Sequence, residues 1–222
     1  MSPRRRHAEN RYYEWMNTIR TLIFLAASML SVSVALAQEI EPGSLLVSRP
    51  ALDDPTFSET VLLLLDHGND GSLAIALNRP TWVEPADAFP EIDALQSFTG
   101  TLFFGGPASP TQLLILFESD RPGRQNSQAI FGSIRATSDL NLLREFNLAA
   151  PDAPRLRLYA GFAAWAPGQL ASEIAAGNWR LLPASADHVF TEDPESLCRR
   201  LPSDDGGVTA MLRRGPQSFS IE

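Results

Sequence analysis

Residues 60–77 read TVLLLLDHGNDGSLAIAL, two apolar runs joined by a short polar linker with a glycine at each end, Gly68 and Gly71. Neither run is long enough for an ordinary helix. Each is bounded by turn residues, and neither alternates with polar positions, the pattern of strands covered on both faces. Gly68-Asn69-Asp70-Gly71 supplies two residues free to take positive φ. The stretch is therefore read as a β-hairpin, with strand one over 60–66 and strand two over 72–77.

Working outward, residues 43–49 (GSLLVSR) read as a short strand closed by Pro50, which fixes φ and removes a donor. Asp53-Asp54-Pro55 makes a turn. Residues 85–96 mix polar and apolar positions around Pro90 and predict a broken helix or irregular excursion. Residues 101–104 and 113–117 predict short buried strands on either side of Gly105-Gly106-Pro107, and 128–134 (QAIFGSI) a further one. Residues 121–127 read as a polar loop. Thr137-Ser138-Asp139 offers N-cap chemistry for a helix over 140–146. Strands follow at 156–162 and 179–182. Between them, Pro167-Gly168-Gln169 opens a helix whose Leu170, Ile174 and Ala175 share a face, ended by Gly177. Residues 195–201 and 208–213 read as helical turns. Many short strands with a few interspersed helices point to one mixed α/β (α+β) domain.

The N-terminus stands apart. Arg4, Arg5, Arg6, Arg11 and Arg20 precede an uncharged run, 21–38, that closes on Ala35-Leu36-Ala37. A basic segment, a short apolar centre and small residues at the end describe a secretory signal peptide over 1–37. A retained membrane anchor through 21–38 and a true start at Met16 are the alternatives. The domain then occupies 38–222, with its core at about 43–201. Export to the periplasm is the expectation for localisation, with the cytosol as the alternative.

Charge limits the partners. The 222 residues carry 18 basic and 26 acidic side chains, net −8, and every basic one is Arg. Without residues 1–37, 13 Arg face 24 acids, net −11. Such a chain repels phosphate, and its Arg residues form no basic stripe, so nucleic-acid binding is disfavoured. One Cys excludes an intramolecular disulfide, and with three His it cannot build a cysteine-rich zinc site; no metal and no cofactor are expected.

Chemistry-bearing residues are few. Neither a Gly-x-Ser-x-Gly elbow nor a Walker loop is present. His67, beside Asp66 and near Asp70, is either a general base or a turn histidine; neighbours on a strand point to opposite faces, which argues against an Asp66–His67 contact. His188 reads as an edge residue. Gly105-Gly106 is either an anion cradle or a sharp turn where a strand leaves the sheet. Cys198, beside Arg199 and Arg200, is either an activated thiol or a core residue. Residues 161–170 (GFAAWAPGQL) are the most unusual: Trp165, with Gly168 and Gln169, is either the wall of a pocket or a tightly packed strand-to-helix junction.

In order along the chain, several segments resemble the YqgE/AlgH family. They are Gly43-Ser44-Leu45-Leu46-Val47, Asp54-Pro55-Thr56-Phe57 with Thr60-Val61, Asp66-His67 with Gly71, Asn78-Arg79-Pro80, Gly105-Gly106-Pro107, and the run from Gly161 through Trp165 to Leu170, with Glu173 and Trp179. The resemblance implies a single domain in which a bifurcated mixed β-sheet curls into a pseudo-barrel flanked by helices. It implies little about activity. One branch of the family is described as a transcriptional regulator of exopolysaccharide (alginate) synthesis, and no catalytic residues carry over. The chain departs from the family in three places. Leu65-Asp66-His67 stands where a cysteine usually precedes a glutamate–histidine pair, Ala164-Trp165-Ala166 replaces Gly-Trp-Gly, and residues 1–37 precede a domain that is typically cytosolic.

The expectation is a non-enzymatic binding or regulatory module of this type, with His67, Gly105, Gly106, Trp165, Gly168 and Gln169 as its candidate surface. Its partner would be a protein or small molecule, and an edge strand makes room for a homodimer. A transcriptional regulator and a hydrolase centred on His67 are the alternatives.

Overall fold

The computed structural model describes residues 39–50, 52–120, 126–145 and 154–202. The segment read as signal or anchor, 1–37, lies outside them, as do the helical turns expected at 208–213 and most of the loop at 121–127. Among the described residues no helix is long and apolar enough to cross a membrane.

Among the described residues nine strands form one sheet: β1 (Ser44–Ser48), β2 (Val61–Gly68), β3 (Gly71–Ala76), β4 (Leu102–Phe104), β5 (Ala108–Glu118), β6 (Gln128–Phe131), β7 (Ile134–Thr137), β8 (Leu156–Trp165) and β9 (Trp179–Pro183). The order is β6-β7-β5-β8-β3-β2-β1-β9, with β4 joining β8 off this path. All pairs are antiparallel except β4–β8, so the sheet is mixed. Short helices among the described residues accompany it: α1 (Pro85–Ala88), α2 (Leu142–Glu145), α3 (Gln169–Ala175), α4 (Ala186–Val189) and α5 (Leu197–Arg200).

The β2–β3 hairpin sits in the middle, and its unbroken apolar runs have a direct cause. Successive side chains on a strand point to opposite faces. Leu45, Val47, Val61, Leu63, Leu65, Ile75 and Leu77 pack into one core, which includes Val189 and Leu197 from α4 and α5. Leu46, Leu62, Leu64, Ala74 and Ala76 pack into a second core with Trp165, Leu170, Trp179 and Leu181. Both faces are covered, so neither could be polar. A third cluster joins Leu113, Ile115 and Phe117 of β5 to Leu95, Phe98, Leu142 and Leu143.

The sheet forks at β8. Its first half, Leu158–Ala160, lies between β4 and β5, whereas Ala163–Trp165 pair with β3. Gly161, at φ +71, lies between the two halves. Gly105 ties the fork together: its amide donates to the Ala160 carbonyl and its carbonyl accepts from the Ala76 amide, both at 2.8 Å. The bifurcated, curled mixed sheet expected from the family resemblance is the observed architecture.

Four local expectations change. Residues 128–134 are two strands, β6 and β7, because Gly132 takes φ +49 and turns the chain with Ser133 between Phe131 and Ile134. Strand β8 continues through Trp165, three residues beyond the expected end, because β3 gives those residues a pairing partner. His188 is helical and not at a strand edge: in α4 it forms a capping box with Ser185. Strand β5 begins at Ala108, five residues before the expected 113, because Ala108 pairs with Phe162 of β8. The remaining elements fall within about two residues of where their residues suggested, with Asp54 accepting from the Thr56 amide at 2.8 Å to cap the 3-10 turn Pro55–Phe57.

Tyr159 of β8 is fully buried, its ring 5.3 Å from that of Phe103. Burial pushes its phenol up to about 12, with the Arg157 guanidinium pulling weakly the other way. In the unfolded chain the phenol ionises near 10. The folded state therefore keeps a proton that the unfolded state loses, and this contribution is complete below pH 10 and lost as pH rises toward 12. Two units correspond to about 3 kcal/mol. Denaturation measured from pH 9 to 12 should show a steeper loss of stability in the wild type than in Tyr159→Phe.

Candidate functional site

The six sequence candidates lie on β2, on the link between β4 and β5, at the end of β8 and at the start of α3. His67 and Ser72 are cross-strand partners in the hairpin, and Ser72 pairs on its other side with Trp165. His67 Nδ1 and Ser72 Oγ share a hydrogen bond of 2.7 Å. Asp66 is exposed and pairs with Leu73, and among the described residues neither Asp66 nor Asp70 hydrogen-bonds to His67.

Trp165 is 7% exposed. Its indole N–H donates to Glu173 Oε2 at 2.9 Å, and the indole of Trp179 donates to the same oxygen at 2.8 Å. The two rings meet edge to face, 6.0 Å apart. Gln169 completes the cluster: its amide nitrogen donates to Glu173 Oε1 at 2.9 Å, and its oxygen accepts from the Ala166 amide at 3.1 Å. Gly168, exposed and at φ +75, lets the chain enter α3. Trp165 and Gln169 thus join one network at the end of β8.

Gly105 and Gly106 are buried. A Cβ on Gly105 would lie 2.2 Å from the Gly161 carbonyl oxygen, and one on Gly106 2.3 Å from the Phe162 carbonyl carbon. Backbone meets backbone here, with the Gly105 amide already committed to β8. Cys198 is half-buried, and burial, seconded by Glu59, pushes its thiol up despite Arg180, Arg199 and Arg79. Among the described residues no three His, Cys, Asp or Glu side chains gather to hold a metal.

A groove of about 420 Å³ opens elsewhere, lined by none of the six. Three segments distant in sequence build it: residues 80–84, 99–101 and 192–195. The free edge of β4 positions the first. Phe104 N–H donates to the Arg79 carbonyl at 2.8 Å, Thr81 N–H to the Leu102 carbonyl at 2.9 Å, and Pro80 bridges to Phe103. Thr81 Oγ1 adds a bond to the Leu102 carbonyl at 2.8 Å. The chain then leaves β4 before Pro85, N1 of α1, so Trp82 and Val83 have no core to enter. Trp82 is 95% exposed and Val83 52%.

Opposite, residues 192–195 are held by Arg200, which donates to Thr191 Oγ1 at 2.5 Å and to the Asp193 carbonyl at 2.7 Å. The Asp193 carboxyl is held below its ordinary range, first by the Ser196 hydroxyl and then by the Ser196 amide and Arg200. Glu84, Glu192, Asp193 and Glu195 line the groove, and no ion pair engages them among the described residues. A second cavity of about 390 Å³, lined by Pro55, Ser58, Glu59, Asn78 and Arg79, shares Pro80 and Glu195 with the first. Asn78 shapes it by accepting from the Val61 amide at 2.9 Å and donating to the Glu59 carbonyl at 2.8 Å.

No single motif flagged this groove. Its one sequence signal is Thr81-Trp82-Val83 between Pro80 and Pro85, two large apolar residues in a segment with no strand or helix period. Because Trp82 supports no packing, Trp82→Ala should leave unfolding free energy within about 0.5 kcal/mol of wild type in denaturant titrations.

The comparisons with known proteins follow the fold. The AlgH-like family (DUF179) matches residues 45–207. The chain belongs to that family. A UPF0301 protein of Chlamydia felis is 35% identical over 82% of this chain and 95% of its own length. One from Streptomyces coelicolor is 36% identical over 81% and 94%. The solution structure of the AlgH protein of Pseudomonas aeruginosa superposes with a TM-score of 0.58 at 21% identity, covering 80% of this chain and 95% of that one. The crystal structure of protein DIP2367 from Corynebacterium diphtheriae gives a TM-score of 0.60 at 25% identity, over 75% and 90%. These likenesses support the family and the fold, and they assign no activity.

Proposed function

We propose that this AlgH-like protein is a non-enzymatic binding module whose recognition surface is the groove between residues 80–84, 99–101 and 192–195. One observation carries the reading: Trp82, 95% exposed, stands at the wall of a cavity of about 420 Å³. Burying an indole removes on the order of 200 Å² from water, worth about 5 kcal/mol before the costs of association. Trp is also the side chain most enriched among binding hot spots. The groove's hydroxyls are those of Thr81, Thr99 and Thr101, and among the described residues none of them hydrogen-bonds to a lining carboxylate, so no nucleophile is paired with a base there. Direct regulation of transcription by DNA contact is not adopted, because an acidic groove in a chain of net −8 repels phosphate.

The test is to place the isotope-labelled protein in unlabelled cell extract and follow its backbone amide resonances. Shifts or broadening at residues 80–84, 99–101 and 192–195 are expected. Effects centred on His67, Trp165 and Gln169 would contradict this placement of the surface.

A hydrolase built on Ser72 and His67 is a second reading, favoured by their 2.7 Å hydrogen bond. It predicts that a fluorophosphonate labels the protein and that Ser72→Ala abolishes labelling. An unlabelled wild type would remove this reading.

A further inference from the structure

The groove's chemistry specifies its occupant. Trp82 exposes nearly its whole ring, and a ring face attracts guanidinium and ammonium groups. Glu84 lies on the same segment, and Glu192, Asp193 and Glu195 line the opposite wall. Glu84, Glu192 and Glu195 have no ion-pair partner among the described residues, so their charge remains available to a ligand. The cations nearby keep their charge but are anchored to neutral acceptors, and the groove's four carboxylates outnumber them. Arg200 is bonded to Thr191 and the Asp193 carbonyl, and Arg79 to the Ser58 carbonyl and to Thr60 Oγ1 at 2.8 Å.

The shape argues for a chain and not for a small amine. The second cavity shares Pro80 and Glu195 with the first and brings one further carboxylate, Glu59, and one guanidinium, Arg79. The two together make an elongated, open surface with carboxylates spaced along it.

We infer that this surface binds an extended, Arg- or Lys-bearing segment of a partner protein, with a cationic side chain stacked on Trp82 between Glu84 and residues 192–195. The inference rests on the groove being the recognition surface, and it adds the chemistry of what is recognised. Arg suits the site better than Lys, because a planar guanidinium can lie on the indole while its edge donates to carboxylates.

The experiment titrates the full chain into a fluorescein-labelled alternating Ala-Arg octapeptide, followed by anisotropy at about 50 mM salt, where exposed charges are weakly screened. Alternating Ala-Ser and Ala-Glu octapeptides are the controls. Saturable binding of the Ala-Arg peptide alone is expected, weakened about tenfold or more by Trp82→Ala and by Glu192→Gln/Glu195→Gln. Glu91→Gln/Asp120→Asn removes the same charge from exposed positions elsewhere and should bind like wild type. Circular dichroism of each variant separates lost binding from lost fold.

Equal loss in Glu91→Gln/Asp120→Asn would show a diffuse attraction to an acidic protein and overturn the inference. Equal binding of the Ala-Ser peptide, or no saturable binding of Ala-Arg, would also overturn it. Amide shifts at the groove in cell extract without Ala-Arg binding would leave the groove as the surface and reject only its cationic occupant. Absence of both would reject the two together.

Discussion

Gly106→Ala is expected to lower the thermal midpoint by about 10 °C. A methyl at Gly106 would sit 2.3 Å from the Phe162 carbonyl carbon and 2.4 Å from the Ala163 nitrogen. Those are backbone atoms of β8, so no rotamer change relieves the clash and two strands must separate. Overpacking and backbone displacement of this kind cost about 3 kcal/mol or more. For a domain of this size each kcal/mol moves the midpoint by roughly 2–4 °C. Gly105→Ala meets the Gly161 carbonyl oxygen at 2.2 Å and should behave alike. Gly68→Ala is the matched control, because nothing lies within 4 Å of its added methyl. It should stay within about 0.5 kcal/mol of wild type. A Gly106→Ala protein as stable as Gly68→Ala would mean that the fork in the sheet is not closed as described.

Glu173→Ala is the second large effect. One carboxylate oxygen accepts from both Trp165 and Trp179, and the other accepts from Gln169. Removing the acceptor leaves two indole donors without partners between β8 and β9, at about 1–3 kcal/mol each when fully buried and less where water reaches them. A loss of about 2–3 kcal/mol in denaturant unfolding is expected. Glu173→Gln should cost less, about 1 kcal/mol, since its amide oxygen can still accept from the indoles. Its amide nitrogen then faces the Gln169 donor, and turning Gln169 over sacrifices the bond from the Ala166 amide. A Glu173→Ala protein with unchanged stability would show that the indole bonds contribute nothing net.

Residues that act through short-range patterns were readable in the chain. The run 60–77 contains its own turn and both its faces, so the hairpin and the burial of Leu62 and Leu63 followed from those residues alone. Residues 128–134 misled because Gly132 in an apolar run looks like an interruption of one strand, whereas it turns between two. Trp165 illustrates a different limit. Its composition context showed that backbones approach closely there, but the partner carboxylate of Glu173 and the second indole of Trp179 come from elements whose packing no local pattern encodes. The groove was the least legible feature, because residues 192–195 lie more than 90 residues beyond the other two segments and meet them only through the edge of β4 and the turn held by Arg200. Trp82 alone betrays it, as a large apolar side chain that the core does not take up.

Photo-crosslinking in living cells tests the central claim, recognition through the Trp82 groove, most directly. A photoreactive phenylalanine derivative replaces Trp82 in one strain and Ala166, exposed beside the Trp165 junction, in another. A discrete adduct at position 82 that disappears with Glu192→Gln/Glu195→Gln, and none at position 166, is the predicted result. An adduct at position 166 with none at 82 would contradict the account.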